Sequence, residues 1–210
     1  MTRILIADDH DVVRSGVRTI LEAHEGWDVV GEARNGKEAI EQAQATRPDI
    51  VILDYGLPLV NGVEATRQIR IRVPGVEVLV FTMHDTDSLV RDVLEAGARG
   101  FLLKSDAKQC LVSAVESLAA HKPYFTSKVS EALLETYLAK GSKDESALSA
   151  REKAVVQLIA EGKTNKQAAD ILSISTKTVE AHRALALRKL NLDTTAALIR
   201  YAIRNRLVEG

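Results

Sequence analysis

Polar residues that can do chemistry follow four apolar segments in the first half of this 210-residue chain. Asp8 and Asp9 follow RILIA, Asp54 follows IVIL, Thr82 follows VEVLVF and Lys104 follows GFLL. Three carboxylates brought together favour a hard cation such as Mg²⁺, whose coordination is usually completed by water and phosphate oxygens. Beside Mg²⁺, an ammonium and a hydroxyl, Asp54 could act as a nucleophile that accepts a phosphoryl group. A lone Asp at a strand end can also simply cap a loop.

The segments that carry these residues alternate with helical patterns over about the first 120 residues. The run Ile50–Leu53 is typical of a strand buried on both faces, as in parallel sheets. The alternation predicts an α/β doubly wound, five-stranded parallel sheet with helices on both faces. In the strand order 2-1-3-4-5, the polar residues share the carboxyl rim of the sheet. We expect the strands at Arg3–Ala7, Trp27–Ala33, Ile50–Asp54, Val76–Thr82 and Gly100–Leu103.

Composition is that of a globular protein, with 46% hydrophobic and 27% charged residues. No apolar run approaches the roughly 20 residues that span a bilayer, and the start of the chain lacks a signal-peptide pattern. We therefore expect a cytoplasmic protein with no membrane partner. The single cysteine, Cys110, fits a packing position on an amphipathic helix.

The two parts of the chain differ in charge. Residues 1–140 hold 16 Lys or Arg against 21 Asp or Glu, a net charge of −5, whereas residues 141–210 hold 12 against 8, a net charge of +4. This difference favours a cation site in the first part and a polyanion partner for the second. The polar segment 141–146 is typical of a linker. The near-helical spacing of apolar residues in 127–138 predicts a connector helix. We expect one domain at 1–122, a connector and linker at 123–146, and a second domain at 147–210.

The helical pattern of residues 147–210 predicts an all-α, four-helix fold for the second domain. The pair Ser149 and Glu152 forms a capping box at the first helix. Two short-linked helices suit a helix-turn-helix, whose second helix enters the major groove of double-stranded DNA. An amphipathic bundle with solvated lysines is the alternative. The expected helices are Ala150–Glu161, Asn165–Leu172, Thr176–Leu190 and Thr194–Arg206. The candidate DNA contacts are Lys166, Lys177, Thr178, Glu180, Ala181, Arg183, Ala184, Arg188 and Lys189.

The first domain resembles the receiver domain of two-component response regulators, which has a flavodoxin-like fold. The motif residues that carry the resemblance are Asp8, Asp9, Asp54, Pro58, Gly62, Thr82, Phe101 and Lys104. The resemblance implies a Mg²⁺ site of Asp8, Asp9, Asp54 and the backbone carbonyl of Gly56. It also implies that Thr82 and Phe101 sense phosphorylation, although a Phe at a strand centre is often a core residue. By the same resemblance, Gly56 and His84 flank the approach of the hydrolytic water. We interpret His10 as a helix-start residue, because Mg²⁺ prefers oxygen ligands.

The second domain resembles the LuxR-type helix-turn-helix of NarL/FixJ response regulators. The resemblance is carried by Glu152, Gly162, Thr178, Val179, His182, Lys189 and Leu190. It implies that Val179 and Leu190 are core residues and that His182 is partly buried. Ala186 replaces a usually larger aliphatic residue, and Leu185 stands where a polar residue is common. These departures indicate different packing of the long helix, or a dimer contact through Leu185.

The sequence thus predicts a response regulator that a histidine kinase phosphorylates on Asp54 and that controls transcription by sequence-specific DNA binding. We expect a homodimer strengthened by phosphorylation, and a switch with slow autodephosphorylation rather than an enzyme. One alternative is a DNA-binding regulator that works without phosphorylation. A less favoured alternative is a Mg²⁺-dependent phosphohydrolase with an aspartyl-phosphate intermediate, because Gly56 occupies the position of its usual second acid.

Overall fold

A computed structural model describes residues 1–83, 86–126, 129, 148–205 and 207–208. The chain divides into two compact units, one amino-terminal and one carboxyl-terminal. The expected connector helix at 127–138, the linker at 141–146 and the side chain of His84 lie outside the described residues. Within the described residues, no helix has the length and apolar composition needed to cross a bilayer.

The amino-terminal unit is built on a parallel sheet in the order β2-β1-β3-β4-β5-β6. The expected doubly wound α/β sheet is confirmed, with the order 2-1-3-4-5 for its first five strands. The sheet has one strand more than the expected five. The additional strand, β6, is only two residues long and pairs with Gly100 and Phe101 of β5. The strands are β1 Thr2–Ala7, β2 Trp27–Ala33, β3 Ile50–Leu53, β4 Glu77–Thr82, β5 Gly100–Leu103 and β6 Tyr124–Phe125.

Helices follow the first five strands. They are α1 Asp11–Glu22, α2 Gly36–Thr46, α3 Gly62–Arg72, α4 Asp87–Glu95 and α5 Ala107–Ala119, and a short 3₁₀ turn at Lys104–Asp106 precedes α5. Asn35 and Asn61 begin α2 and α3, since each amide oxygen accepts a hydrogen bond from a backbone N–H in the first turn. Helix α1 packs with α5, and α2 packs with α3. The first pair covers a core that includes Ile4, Ile50 and Leu79 from the central strands.

The carboxyl-terminal unit contains four helices among its described residues, as the sequence predicts. They are α6 Ala150–Ala160, α7 Asn165–Leu172, α8 Thr176–Lys189 and α9 Thr195–Arg204. Helix α6 packs with α8 and α9, and α7 packs with α8. Gly162 has a φ of 79°, which allows the chain to turn sharply after α6.

The long helix α8 contributes small and branched side chains to this core. Val179 and Ala186 are fully buried, Leu190 packs against the same cluster, and His182 is partly buried. The short side chain of Ala186 therefore fills a core position. Leu185 is only partly buried on the same helix.

Candidate metal site, phosphoryl site and nucleic-acid interface

Two buried carboxylates lie at the carboxyl ends of the adjacent strands β1 and β3. Asp8 is 2% exposed and Asp54 is 6% exposed. The backbone N–H of Asp8 donates to the carbonyl oxygen of Ala33 at 3.1 Å, and the backbone N–H of Asp54 donates to the carbonyl oxygen of Ala7 at 2.9 Å. Because these bonds continue the sheet ladder past its last residues, the backbone of each acid is held at the rim.

The loop after Asp54 turns back onto its own backbone at Gly62. The Gly62 N–H donates to the carbonyl of Tyr55 at 2.8 Å. A Cβ at position 62 would lie 2.4 Å from the carbonyl oxygen of Asp54, which no side chain can tolerate. At Gly56, by contrast, a Cβ would lie 3.7 Å from Asp54 Oδ2, an ordinary contact. Position 62 therefore requires glycine, whereas position 56 has room for a side chain beside the carboxylate.

Lys104 reaches both acids from the end of β5. Its Nζ lies 2.8 Å from Asp8 Oδ2 and 3.0 Å from Asp54 Oδ2, and its side chain is 8% exposed. Burial lowers the pKa of Lys104, but the charges of Asp54 and Asp8 outweigh burial, so the pKa lies above its ordinary value. Burial also raises the pKa of Asp54, with Lys104 acting in the opposite direction.

Thr82 and Phe101 occupy neighbouring strands next to this cluster. Thr82 ends β4, is 1% exposed and pairs with Leu103, the residue before Lys104. Phe101 pairs with Val80 and is among the largest fully buried side chains. The hydroxyl is thus at the rim, and the aromatic ring lies in the core.

A set of four residues offers ligand atoms for a cation at this rim. Atoms of Asp8, Asp9, His10 and Asp54 all lie within 4.8 Å of one another. Oδ2 of Asp8 and Oδ1 of Asp9 are buried and have no hydrogen-bond partner among the described residues, although Lys104 Nζ and His10 Nδ1 lie at ion-pair distance from them. Clustered carboxylate oxygens, two of them without a hydrogen bond, fit a divalent cation.

His10 is a member of this set that the sequence interpretation left out. It does precede α1, as expected of a helix-start residue, but its Nδ1 lies 2.9 Å from Asp9 Oδ1 and 3.3 Å from Asp8 Oδ1. The carboxylate of Asp9 is the main cause that raises the pKa of the imidazole. The only sequence signal was its place directly after the paired acids.

Arg14 is a second residue that sequence reasoning missed. It is 5% exposed, and its Nη1 donates to the backbone carbonyl of Asp8 at 2.8 Å. Its Nε donates to Glu32 Oε2 at 2.7 Å, and its Nη2 contacts Asp11. A buried guanidinium therefore ties the acidic loop to β2 and α1. No sequence pattern distinguished this arginine from Arg18, the other cation of α1.

Helix α8 presents one exposed face in the carboxyl-terminal unit. Its exposed members recur every three or four residues, the spacing of one helix face. They are Lys177, Glu180, Ala181, Ala184 and Arg188. Thr178 is partly buried, and its backbone N–H donates to the Ser175 side chain at the start of the helix.

Two of the candidate DNA contacts also bind within the unit. Arg183 donates to Asn165 Oδ1 at 3.3 Å and to Thr195 Oγ1 at 2.5 Å, which links α8 to the starts of α7 and α9. Lys189 Nζ donates to Oε2 of Glu152 at 2.8 Å. The structure thus involves both side chains in interhelical contacts.

Lys166, another candidate, is exposed at the start of α7. It lies beside an open cavity of about 580 Å³ whose cationic lining residues are Lys163, Lys166 and Arg183. The backbone N–H groups at the start of α7 add positive potential to this concave surface. The surface therefore suits an anion such as a phosphate group.

Comparison with known proteins covers both units. Residues 4–116 match the response regulator receiver domain model, and residues 146–202 match the model of bacterial regulatory proteins of the luxR family. The chain is 36% identical over 216 residues to the oxygen regulatory protein NreC of Staphylococcus epidermidis, covering 99% of each. It is 34% identical over 209 residues to the response regulator UvrY of Escherichia coli, covering 99% of this chain and 96% of UvrY.

Among solved structures, RcsB of Salmonella enterica serovar Typhimurium, bound to promoter rprA in the presence of phosphomimetic BeF3-, has a TM-score of 0.67. It is 28% identical and covers 95% of this chain and 97% of its own. A LuxR-family two-component response regulator from Aurantimonas is 36% identical, with a TM-score of 0.62. That match covers 66% of this chain and 99% of the Aurantimonas chain.

Proposed function

Because the chain belongs to the two-component response regulators that join a receiver domain to a LuxR-type DNA-binding domain, we propose that a histidine kinase phosphorylates it on Asp54. One observation carries this assignment. Asp54 is the buried carboxylate whose Oδ2 lies 3.0 Å from Lys104 Nζ at the strand ends of the sheet. An acid placed there has both a protected environment and a cation to receive transferred charge.

The side chains around Asp54 have distinct tasks in phosphoryl transfer. Oδ of Asp54 attacks the phosphorus atom of the phosphorylated histidine of the kinase, and the P–N bond to that histidine breaks. Lys104 keeps Asp54 ionised against the effect of burial and then binds a phosphoryl oxygen. The hydroxyl of Thr82 donates to another phosphoryl oxygen.

Mg²⁺ is the proposed cofactor, and its role when bound is to neutralise charge on the carboxylates and on the transferring group. Asp8, Asp9, Asp54 and the backbone carbonyl of Gly56 would hold it. The convergence of the side-chain ligand atoms within 4.8 Å supports this set.

We propose that Thr82 and Phe101 transmit the phosphorylated state. A phosphoryl group on Asp54 draws Thr82 toward it, and Thr82 ends β4, the strand that pairs with β5. The ring of Phe101 lies on β5 and is fully buried, so its contribution depends on repacking after Thr82 moves.

The DNA-binding surface is assigned to the exposed face of α8. We propose that Lys177 and Arg188 bind phosphates while Glu180, Ala181 and Ala184 face the base edges. We also propose phosphate contacts for Thr178, in the first turn of α8, and for Lys166, which lines the cavity at the start of α7. The DNA complexes of RcsB support this class of ligand.

Arg183 and Lys189 have a different role in this proposal. Their contacts with Asn165, Thr195 and Glu152 orient α8 within its unit. Direct phosphate contact by these two side chains stays a prediction from the sequence.

We further propose that phosphorylation strengthens a homodimer, because helix-turn-helix proteins commonly bind paired half-sites. The expected domain limits of 1–122, 123–146 and 147–210 belong to the same proposal. The matched ranges of 4–116 and 146–202 support them.

Intact mass after incubation with acetyl phosphate and Mg²⁺ tests the assignment. We expect one phosphoryl group on the wild-type chain and none on Asp54→Asn. The exposed acid Asp28 offers a matched control, since Asp28→Asn leaves the pocket intact. Light scattering before and after phosphorylation then measures dimerisation.

Three results would argue against the proposal. An adduct that persists in Asp54→Asn would assign the acceptor elsewhere, and no adduct in the wild type would favour a phosphorylation-independent regulator. Continuous release of phosphate at enzymatic rates would favour the phosphohydrolase alternative.

A further inference from the structure

We propose that Glu180 makes DNA recognition by this protein depend on a cytosine, whose N4 amino group donates a hydrogen bond to the Glu180 carboxylate in the major groove. The inference rests on the proposed function, because it concerns the exposed face of α8. It goes further by naming one residue that sets base specificity and the base that this residue selects.

Glu180 lies between two cations on the exposed face of α8. Lys177 lies about one turn before it and Arg188 about two turns after it, and all three side chains are exposed. Because an α-helix rises about 1.5 Å per residue, the backbones at Lys177 and Arg188 are about 16 Å apart along one side of the helix. That span exceeds the width of the major groove, about 12 Å. The two cations can therefore reach phosphates that flank the groove while Glu180 faces the bases.

The carboxylate of Glu180 has no partner within the protein. In the part of the chain that the structure describes, it forms neither an ion pair nor a hydrogen bond. Arg183, three residues later, donates to Asn165 and Thr195 instead. An unpaired carboxylate repels the phosphates of any DNA that α8 approaches. Binding through this face is therefore most favourable at sites where a hydrogen-bond donor of a base meets Glu180.

The chemistry of a carboxylate determines which base it selects. An ionised carboxylate accepts hydrogen bonds and donates none. In the major groove guanine and thymine present only acceptors, and the available donors are the amino groups of cytosine and adenine. On adenine the acceptor N7 lies beside the amino group and repels the second carboxylate oxygen, whereas cytosine has a C–H group in that place. Glu180 should therefore prefer cytosine.

The neighbours of Glu180 on this face leave the base contact to it. Ala181 and Ala184 are exposed and have no polar side-chain atoms. Their methyl groups allow the helix to approach the bases closely, but they form no hydrogen bond with a base edge. Among the exposed positions between Lys177 and Arg188, Glu180 alone can hydrogen-bond a base through its side chain.

Selection of binding sites from a random pool of duplex DNA by the full chain gives the first test. We expect the enriched sites to share a cytosine at one position, and this preference to disappear in Glu180→Ala. Glu180→Gln should shift the preference towards adenine, because an amide pairs with the N6 and N7 atoms of adenine. Asp170→Asn is the matched control, since it removes an exposed carboxylate of α7 and should leave the base preference unchanged.

Binding titrations with a modified base test the hydrogen bond itself. N4-methylcytosine still pairs with guanine, but a methyl group replaces the amino hydrogen that faces the major groove. At the selected position we expect this base to weaken wild-type binding about tenfold and Glu180→Ala binding less than about twofold. Glu180→Ala should also bind unrelated duplex DNA more tightly than the wild type, because it lacks a charge that repels phosphates.

Two results would overturn this inference alone. One is the same base preference in the wild type and in Glu180→Ala, which would mean that the carboxylate only repels phosphates. The other is an equal penalty for N4-methylcytosine in both proteins. If the wild type binds no duplex DNA, the proposed DNA binding fails together with this inference, and phosphorylation of Asp54 is unaffected by any of these results.

Discussion

The contact between Glu152 and Lys189 allows a quantitative test of what positions the long helix α8. Glu152 lies in the first turn of α6 and is 3% exposed. Its Oε2 accepts hydrogen bonds from the Ser149 backbone N–H at 2.7 Å and from Lys189 Nζ at 2.8 Å. One buried carboxylate therefore closes the cap of α6 and holds the end of α8.

Two substitutions separate these contributions. Glu152→Gln keeps a capping side chain and removes the charge, and loss of a charged hydrogen bond costs about 1.5–3 kcal/mol. Glu152→Ala also removes the cap, for about 1 kcal/mol more. We expect a total loss near 3 kcal/mol for the alanine variant, a large part of the 5–15 kcal/mol typical of a domain.

The effect of Glu152→Gln should depend on pH. Burial raises the pKa of Glu152, but Lys189 and Ser149 outweigh burial, so the folded-state pKa lies below the ordinary 4.5. A carboxyl group with a lowered folded pKa stabilises the fold above its unfolded pKa, and this stability is lost as pH falls through the folded value. The difference between wild type and Glu152→Gln should therefore be full at pH 7 and shrink below about pH 4.5.

Urea denaturation of the full chain measures these free energies of unfolding. The only tryptophan is Trp27, in the amino-terminal unit, so its fluorescence reports that unit while far-UV circular dichroism reports both. A double-mutant cycle with Lys189→Met should give a coupling of about 1–3 kcal/mol. A coupling below about 0.5 kcal/mol would refute the positioning role, as would a stable Lys189→Met variant whose DNA binding has a lower salt dependence.

Four further outcomes are expected. Gly56→Met should lengthen the lifetime of the phosphorylated state about tenfold, which corresponds to about 1.4 kcal/mol in the hydrolysis barrier. The reason is that the new side chain would lie beside the Asp54 carboxylate, where water approaches. An equal or shorter lifetime, measured by intact mass, would contradict this. Asp54→Asn should raise the urea midpoint of unfolding at pH 7 but not below about pH 3.8. Burial raises the folded-state pKa of Asp54, so the ionised carboxylate destabilises the fold once the pH rises above the unfolded-state pKa. A lower midpoint for the variant at pH 7 would contradict this prediction. Lys177→Ala should weaken DNA binding and lower its salt slope by about one, and an unchanged slope in a binding titration would remove this residue from the phosphate contacts. Arg14→Met should lower the free energy of unfolding by about 2–3 kcal/mol, as measured by Trp27 fluorescence. This loss is smaller than that expected for a fully buried ion pair, because Glu32 is 29% exposed. A loss below about 1 kcal/mol would contradict that value.

Sequence alone determined the layered α/β architecture and which charged residues meet at its rim. Apolar runs such as Ile50–Leu53 have the period and length of buried strands, and these are local properties. Since parallel strands share one carboxyl edge, the places of Asp54 and Lys104 at strand ends were enough to predict that they meet. Their separation of 3.0 Å follows from topology that the alternation of elements already indicated.

Only the tertiary structure decided which charged side chains serve the sites and which hold the fold together. Lys189 and Lys177 have the same charge on one helix, yet Lys189 meets a carboxylate 37 residues earlier in the chain, whereas Lys177 is exposed. His10 likewise reaches the acidic pocket because the start of α1 directs its ring there. Such contacts join residues whose local patterns are unrelated, so they depend on how helices and strands pack and not on the period of any one segment.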